Sequence, residues 1–148
     1  MSVEENKTLV RRWFEEFWNA GNLDVADEIF HPNYAYAEGD TAGEQSTEAN
    51  KEGYARWHRI LPDIHFTIDE VIGEGDTVVV RWTAHGTHQG EWATPIGNVP
   101  ASGKKTITPG TSSYHLQDGK ILREVNHIDF LSTLEQMGAI IQPSETSK

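Results

Sequence analysis

Hydrophobic and polar positions change their period once along this chain. Before Pro62 the apolar residues recur every third or fourth position; after it they recur every second. Leu9, Val10, Trp13, Phe14, Phe17 and Trp18 form a wide apolar stripe, with Arg11, Arg12, Glu15 and Glu16 between them. Ser2 and Glu5 stand ahead of that stripe at capping-box spacing, so the pattern predicts a helix from the start of the chain to about Trp18. Asn19-Ala20-Gly21-Asn22 ends it, and Asn22 caps a second, short helix carrying Leu23, Ala26, Ile29 and Phe30. His31-Pro32 closes that one, because proline disfavours helical geometry in the residue before it. Residues 37 to 46 are small, polar and glycine-containing and read as a loop. A third helix is expected from about Thr47 to Leu61, with Tyr54, Trp57, Ile60 and Leu61 on one stripe.

From Pro62 onward the reading is strand. Ile64, Phe66 and Ile68 alternate with His65, Thr67 and Asp69. Gly73-Glu74-Gly75-Asp76 turns into a β-branched run from Thr77 to about His88. A loop rich in Gly and Pro covers Gln89 to Gly103, and Lys104 to Leu116 is strand again. Asp118-Gly119 is a hairpin signal leading to a last strand from Lys120 to Asp129. Ser132 and Glu135 repeat the capping-box spacing and start a short closing helix. Helices first and hairpin-connected strands afterwards predict an α+β domain, its N-terminal helices packed on one face of a mainly antiparallel sheet. Residues 1–142 are expected to form this single domain, with 143–148 as a flexible tail.

Composition narrows the partners. The 148 residues carry 12 Lys plus Arg against 23 Asp plus Glu, a net charge of −11 that repels nucleic-acid phosphates and anionic membranes. Neither nucleic acid nor membrane is therefore an expected partner. No cysteine is present, which removes thiolate metal sites and cysteine nucleophiles and fits a reducing, cytoplasmic setting.

The richest stretch for chemistry is the last strand. Val125, His127 and Asp129 alternate and so share one face. If helices cover that face, Asp129 is a carboxylate in an apolar pocket, with a pKa raised toward the working pH as acid/base chemistry requires. Local pattern alone favours another role for Asp129, as cap of the segment that follows. His127 stands ready to orient it, or to bond a backbone carbonyl in the ordinary way. His127-x-Asp129 also imitates half of a two-histidine, one-carboxylate iron site, but no histidine follows Asp129, and the residues argue against a metal. His85 and His88 chelate one ion only if Gly86 makes a bulge. Trp82 and Trp92, beside the long loop, are candidates to line an aromatic ligand's pocket.

Several phrases together carry a resemblance: Leu61-Pro62-Asp63-Ile64, Gly75-Asp76-Thr77-Val78, Arg81-Trp82-Thr83, Gly86-Thr87-His88-Gln89-Gly90, Ser102-Gly103-Lys104, Asp118-Gly119-Lys120-Ile121, and Asp129-Phe130-Leu131 followed by Gln136-Met137-Gly138. Over about Asn6 to Gly138 the chain resembles the SnoaL-like polyketide cyclases. That resemblance implies the nuclear-transport-factor-2-like cone, helices closing a strongly curved sheet, and a homodimer. It also implies a cofactor-independent intramolecular aldol ring closure of a small, aromatic or polyketide-like carbonyl substrate. The family's acid/base aspartate then falls on Asp129 and its glycine-flanked histidine on His88, with His127 beside them. Tyr36, Trp57, Trp82, His85, Trp92, Ser112 and Tyr114 are the expected substrate contacts. The chain departs from the family pattern in having Ser112 where a histidine is expected, His127 for a tryptophan and Tyr36 for an asparagine. An epoxide-hydrolase-like or hydroxylation-assisting relative, or a protein that only binds its ligand, are the alternatives. The Arg-x-Asp pair of limonene-type hydrolases is incomplete here, since Arg81 is followed by Trp82 and Thr83. Tyr34 and Tyr36 are available to a ketosteroid-isomerase-like site, but no second carboxylate accompanies them.

Overall fold

A computed structural model describes residues 2–95 and 97–139. Helix α1 (Val3–Arg12) begins at Ser2, whose hydroxyl accepts the Glu5 N–H while the Glu5 carboxylate accepts the Ser2 N–H, the reciprocal box expected from the spacing. It runs on as a π-helical segment, Trp13–Asn19, whose wider turn brings Trp13, Phe14 and Phe17 all to the buried side. Helices α2 (Val25–Ile29) and α3 (Thr47–Ile60) follow, the latter capped by Ser46. Strands β3 (His65–Glu74), β4 (Thr77–Thr87), β7 (Lys105–Gln117) and β8 (Lys120–Ile128) form the antiparallel heart of the sheet. A closing helix α4 (Phe130–Gln136) packs on β7.

Two expected loops contain strands. The first holds most of β1 (Tyr36–Gly39) and all of β2 (Gly43–Glu44), and β1 joins β8 in parallel, making the sheet order β2-β1-β8-β7-β4-β3. No alternating apolar pattern marks β1, because its stability comes from backbone pairing with β8. Gly39 makes this contact close: at φ +79°, a Cβ there would stand 2.0 Å from the Asn126 carbonyl oxygen. Within residues 89–103, β5 (Trp92–Thr94) and β6 (Gly97–Val99) make a separate small hairpin. The closing helix is capped by Asp129 rather than Ser132: the Asp129 carboxylate accepts the Ser132 N–H at 3.0 Å. The expected tail, 143–148, and the domain limit at 142 lie outside the described residues.

One irregularity decides what faces inward. His115 pairs with Arg123 and Leu116 with Ile121, so Leu122 is an extra residue that bulges from β8. Ile121 is buried before the bulge, whereas Glu124 and Asn126 are buried after it, so the inward parity switches along the strand. On β7 the parity is unbroken, with Thr106, Thr108, Ser112, Tyr114 and Leu116 inward. The helical aromatics fill the concave side against these strands. Trp13 stacks on Phe17 at 4.3 Å, and Phe14 meets Phe66, Trp82 and Tyr114 at 5.9, 6.4 and 6.3 Å. Such rings each bury about 150–250 Å² and dominate a core of this size. Trp82 lies directly over Gly110, where a Cβ would come within 2.2 Å of the indole.

Candidate functional site

The bulge at Leu122 turns Glu124 into the concave side, where it is 6% exposed. Around its carboxyl group stand Tyr114, Asn126, Trp13 and Tyr34, one from each of β7, β8, the π-helical segment and the connection after α2. Burial raises the Glu124 pKa above the ordinary carboxylate value, and the surrounding donors offset that only in part. The same burial, with the Glu124 charge adding to it, pushes the Tyr34 and Tyr114 hydroxyls well up, so both stay protonated donors. Two donors here are unspent. Tyr34 Oη and the Asn50 amide nitrogen are buried and close no hydrogen bond, although Asn50, from α3, faces the Tyr34 hydroxyl. Leaving a buried polar atom unpaired costs about 1–3 kcal/mol, which marks the spot as built for something.

Above Glu124 the polar groups are fully used. Trp82 Nε1–H donates to Ser112 Oγ at 2.9 Å, the Ser112 hydroxyl donates to the Asn126 amide oxygen, and Asn126 Nδ2 donates to Thr41 Oγ1 at 2.8 Å. This rail ties the interior to the β1–β2 hairpin, which is also held by the Asp40 N–H on the Asn126 carbonyl and by the Asp40 carboxylate on the Ile128 N–H.

The residues expected from sequence do not come together in one place. Trp82, Ser112 and Tyr114 are buried together in the interior. Trp57 and Trp92 meet at 5.3 Å and enclose Phe130 with them, a half-buried aromatic trio where α3, β5 and α4 converge. Asp129 and His127 are exposed on the opposite face of the sheet, correcting the expectation that the face of Val125, His127 and Asp129 is the one the helices cover. They line an open groove of about 550 Å³ with Asp40, Asp69, Arg81 and Thr111. In that groove Thr83 donates to Asp69 at 2.6 Å and Arg81 pairs with Glu70 at 3.4 Å.

His88 belongs to neither face of this strand. It is wholly buried, with Nδ1 against Ser102 Oγ at 2.8 Å and accepting the Ser102 N–H at 3.2 Å, while desolvation holds its pKa down. His85 and Tyr36 are exposed. The β4–β7 register runs unbroken through Gly86, so His85 points outward and does not converge with His88. Among the described residues, no three His, Asp or Glu side chains come together as metal ligands. Sequence reasoning passed over Glu124, Asn126, Asn50 and the interior role of Tyr34. The available signal was Glu124-x-Asn126 opposite Ser112-x-Tyr114, two polar pairs at strand spacing on neighbouring strands.

Comparison with known proteins agrees with this architecture. The family model for SnoaL-like polyketide cyclase matches residues 8–137. Among solved structures, AclR from Streptomyces galilaeus, designated a hydroxylase, superposes with a TM-score of 0.80 at 21% identity, covering 97% of this chain and 91% of its own. A protein from Jannaschia sp. CCS1, designated a SnoaL-like polyketide cyclase, gives 0.79 at 26% identity, with 94% and 95% covered. IdmH from Streptomyces antibioticus, designated a polyketide cyclase, gives 0.75 at 22% identity, with 90% and 98% covered. No curated protein matches the sequence. The expected α+β cone is thus the observed fold. No helix among the described residues is long and apolar enough to cross a membrane.

Proposed function

The chain belongs to the SnoaL-like polyketide cyclase family, and on that premise we propose that it closes a ring in a small carbonyl compound by acid/base chemistry at Glu124. The observation that carries this reading is a carboxyl group inside the curved sheet whose pKa burial has raised, among aromatic walls and neutral donors. Asp129 keeps its role as helix cap, since its carboxylate is exposed and already bonded to Ser132 N–H.

In the ring closure, the Glu124 carboxylate takes a proton from a carbon flanked by carbonyls. The C–H bond breaks and its electron pair spreads onto a carbonyl oxygen. The carbon then attacks a second carbonyl of the same molecule, forming the new C–C bond. Glu124, now protonated, gives its proton to the resulting alkoxide, so no group is consumed. A base poised above the usual carboxylate range is better matched to this work near neutrality than an exposed aspartate.

The test pairs two substitutions, assayed by mass spectrometry on a panel of β-dicarbonyl compounds and epoxides. Glu124→Gln is expected to abolish turnover and Asp129→Asn to spare it; the reverse result overturns the assignment. The acid limb of the wild-type kcat/KM profile is expected to lie above the ordinary carboxylate range. In heavy-oxygen water the product is expected to gain no new labelled carbon–oxygen bond. Gain of such a bond transfers the reading to the hydrolase-like alternative.

A further inference from the structure

The geometry points to Tyr34 Oη and Asn50 Nδ2 as the two donors of a subsite for one carbonyl oxygen of the substrate, the oxygen that carries the charge when Glu124 removes the proton. This rests on the reading of Glu124 as the acid/base group. Both side chains are more than nine-tenths buried and both polar atoms lack a closed hydrogen bond; Tyr34 stands beside the carboxyl group that the bulge at Leu122 turns inward, and Asn50 stands next to Tyr34. The neighbouring polar groups cannot play this part, because Trp82, Ser112 and Asn126 spend theirs on one another and on Thr41.

The donors also select the ligand class. An atom that satisfies the Asn50 N–H and the Tyr34 O–H together has to be an acceptor. Neither donor is charged, and Glu124 is adjacent, so a permanent anion such as a carboxylate or phosphate would meet a like charge without a cation to balance it. A carbonyl oxygen avoids that conflict. Its charge develops only as Glu124 becomes neutral, so the site holds a single negative charge throughout the step. Donors already in place at the oxygen that gains charge need no reorganisation when it does. The subsite therefore takes a neutral carbonyl compound, one of whose oxygens is seated between α3 and the connection that follows α2.

The probe is 1,3-indanedione, an aromatic β-diketone whose enolate absorbs differently from its keto form. Wild-type protein is expected to catalyse deuterium exchange at the carbon between its carbonyls. Glu124→Gln, which mimics the protonated acid, is expected to lose that exchange while binding the enolate. Adding Tyr34→Phe or Asn50→Ala to Glu124→Gln is expected to weaken enolate binding about tenfold, as loss of one hydrogen bond to a charged oxygen does. Unchanged affinity in both double variants, or no enolate binding by Glu124→Gln, overturns the subsite and leaves Glu124 standing. Exchange that survives Glu124→Gln overturns Glu124 instead, whatever the double variants bind. A crystal structure of Glu124→Gln with the dione gives the same answer without further substitution. A dione oxygen bonded to both Tyr34 and Asn50 supports the subsite, and an ordered water kept there with the dione elsewhere ends it.

Discussion

The two faces of β8 carry carboxylates of opposite fate. Asp129 points outward, caps α4 and lines a groove whose other acids are engaged with backbone or hydroxyl groups. Glu124 points inward among Trp13, Tyr34 and Tyr114. Residue type is nearly the same; dielectric surroundings are not. An exposed carboxylate is solvated and its contacts are structural, whereas an interior one has its ionisation opposed by burial, which raises its pKa above the ordinary carboxylate value. The difference teaches that on this strand a carboxyl group's surroundings, and with them its ionisation, are set by which side of the sheet it occupies.

The sharpest way to break that comparison is to exchange the roles by mutation. Glu124→Gln should lower turnover by about two to four orders of magnitude, the usual worth of a general acid/base, while Asp129→Asn should leave it within about twofold; steady-state rates on a responsive dicarbonyl substrate decide. Gly110→Ala probes the packing that holds the inner face in place. The added methyl meets the Trp82 ring, so unfolding stability should fall by about 1–3 kcal/mol, with the Trp82–Ser112 bond disturbed, as read by urea denaturation.

Stability against pH sharpens the comparison from another side. The folded pKa of Glu124 lies above its ordinary 4.5, so as pH rises past that value the unfolded chain releases a proton that the folded chain retains. Wild-type stability is therefore lost progressively between the ordinary and the raised value. Glu124→Gln removes this loss, and its Tm advantage over wild type should open as pH rises through that window, at about 2–4 °C per kcal/mol. A gap that closes with rising pH would contradict the inward assignment. The smallest effect belongs to the outer face. Asp129→Ala should cost about 1 kcal/mol through the lost cap of α4, with turnover retained; thermal unfolding and the rate assay check the two halves.

Much of the fold was legible because it is written in periods. The stripe from Leu9 to Trp18 and the alternation from Thr77 to Thr87 each specify an element and its buried side without knowledge of the rest of the chain. The β1 strand was not legible, since its pairing with β8 is a backbone event between distant segments and its residues show only small size and polarity. The site was half legible for a related reason. Parity correctly grouped Val125, His127 and Asp129 on one face, but left open whether the helices cover it. The bulge at Leu122 decides that, and it is visible only in the register between β7 and β8. Ser112, Tyr114 and Trp82 lie on β7 and β4, where the extra residue at each register shift belongs to the neighbouring strand and their own alternation is unbroken, and those positions were found. Glu124 and Asn126, just beyond the bulge, were not.

The unpaired residue at position 122 has an evolutionary corollary. Downstream of it, the strand holds two interleaved sets of side chains: Glu124 and Asn126 in one, Val125, His127 and Asp129 in the other. Which set faces inward is fixed by pairing with β7, where Glu124 stands opposite Tyr114 and Asn126 opposite Ser112, and the extra residue lets Ile121 face inward as well without displacing either set. A change of one residue in the length of the preceding hairpin can therefore be absorbed at position 122, leaving the interior polar pair where β7 holds it.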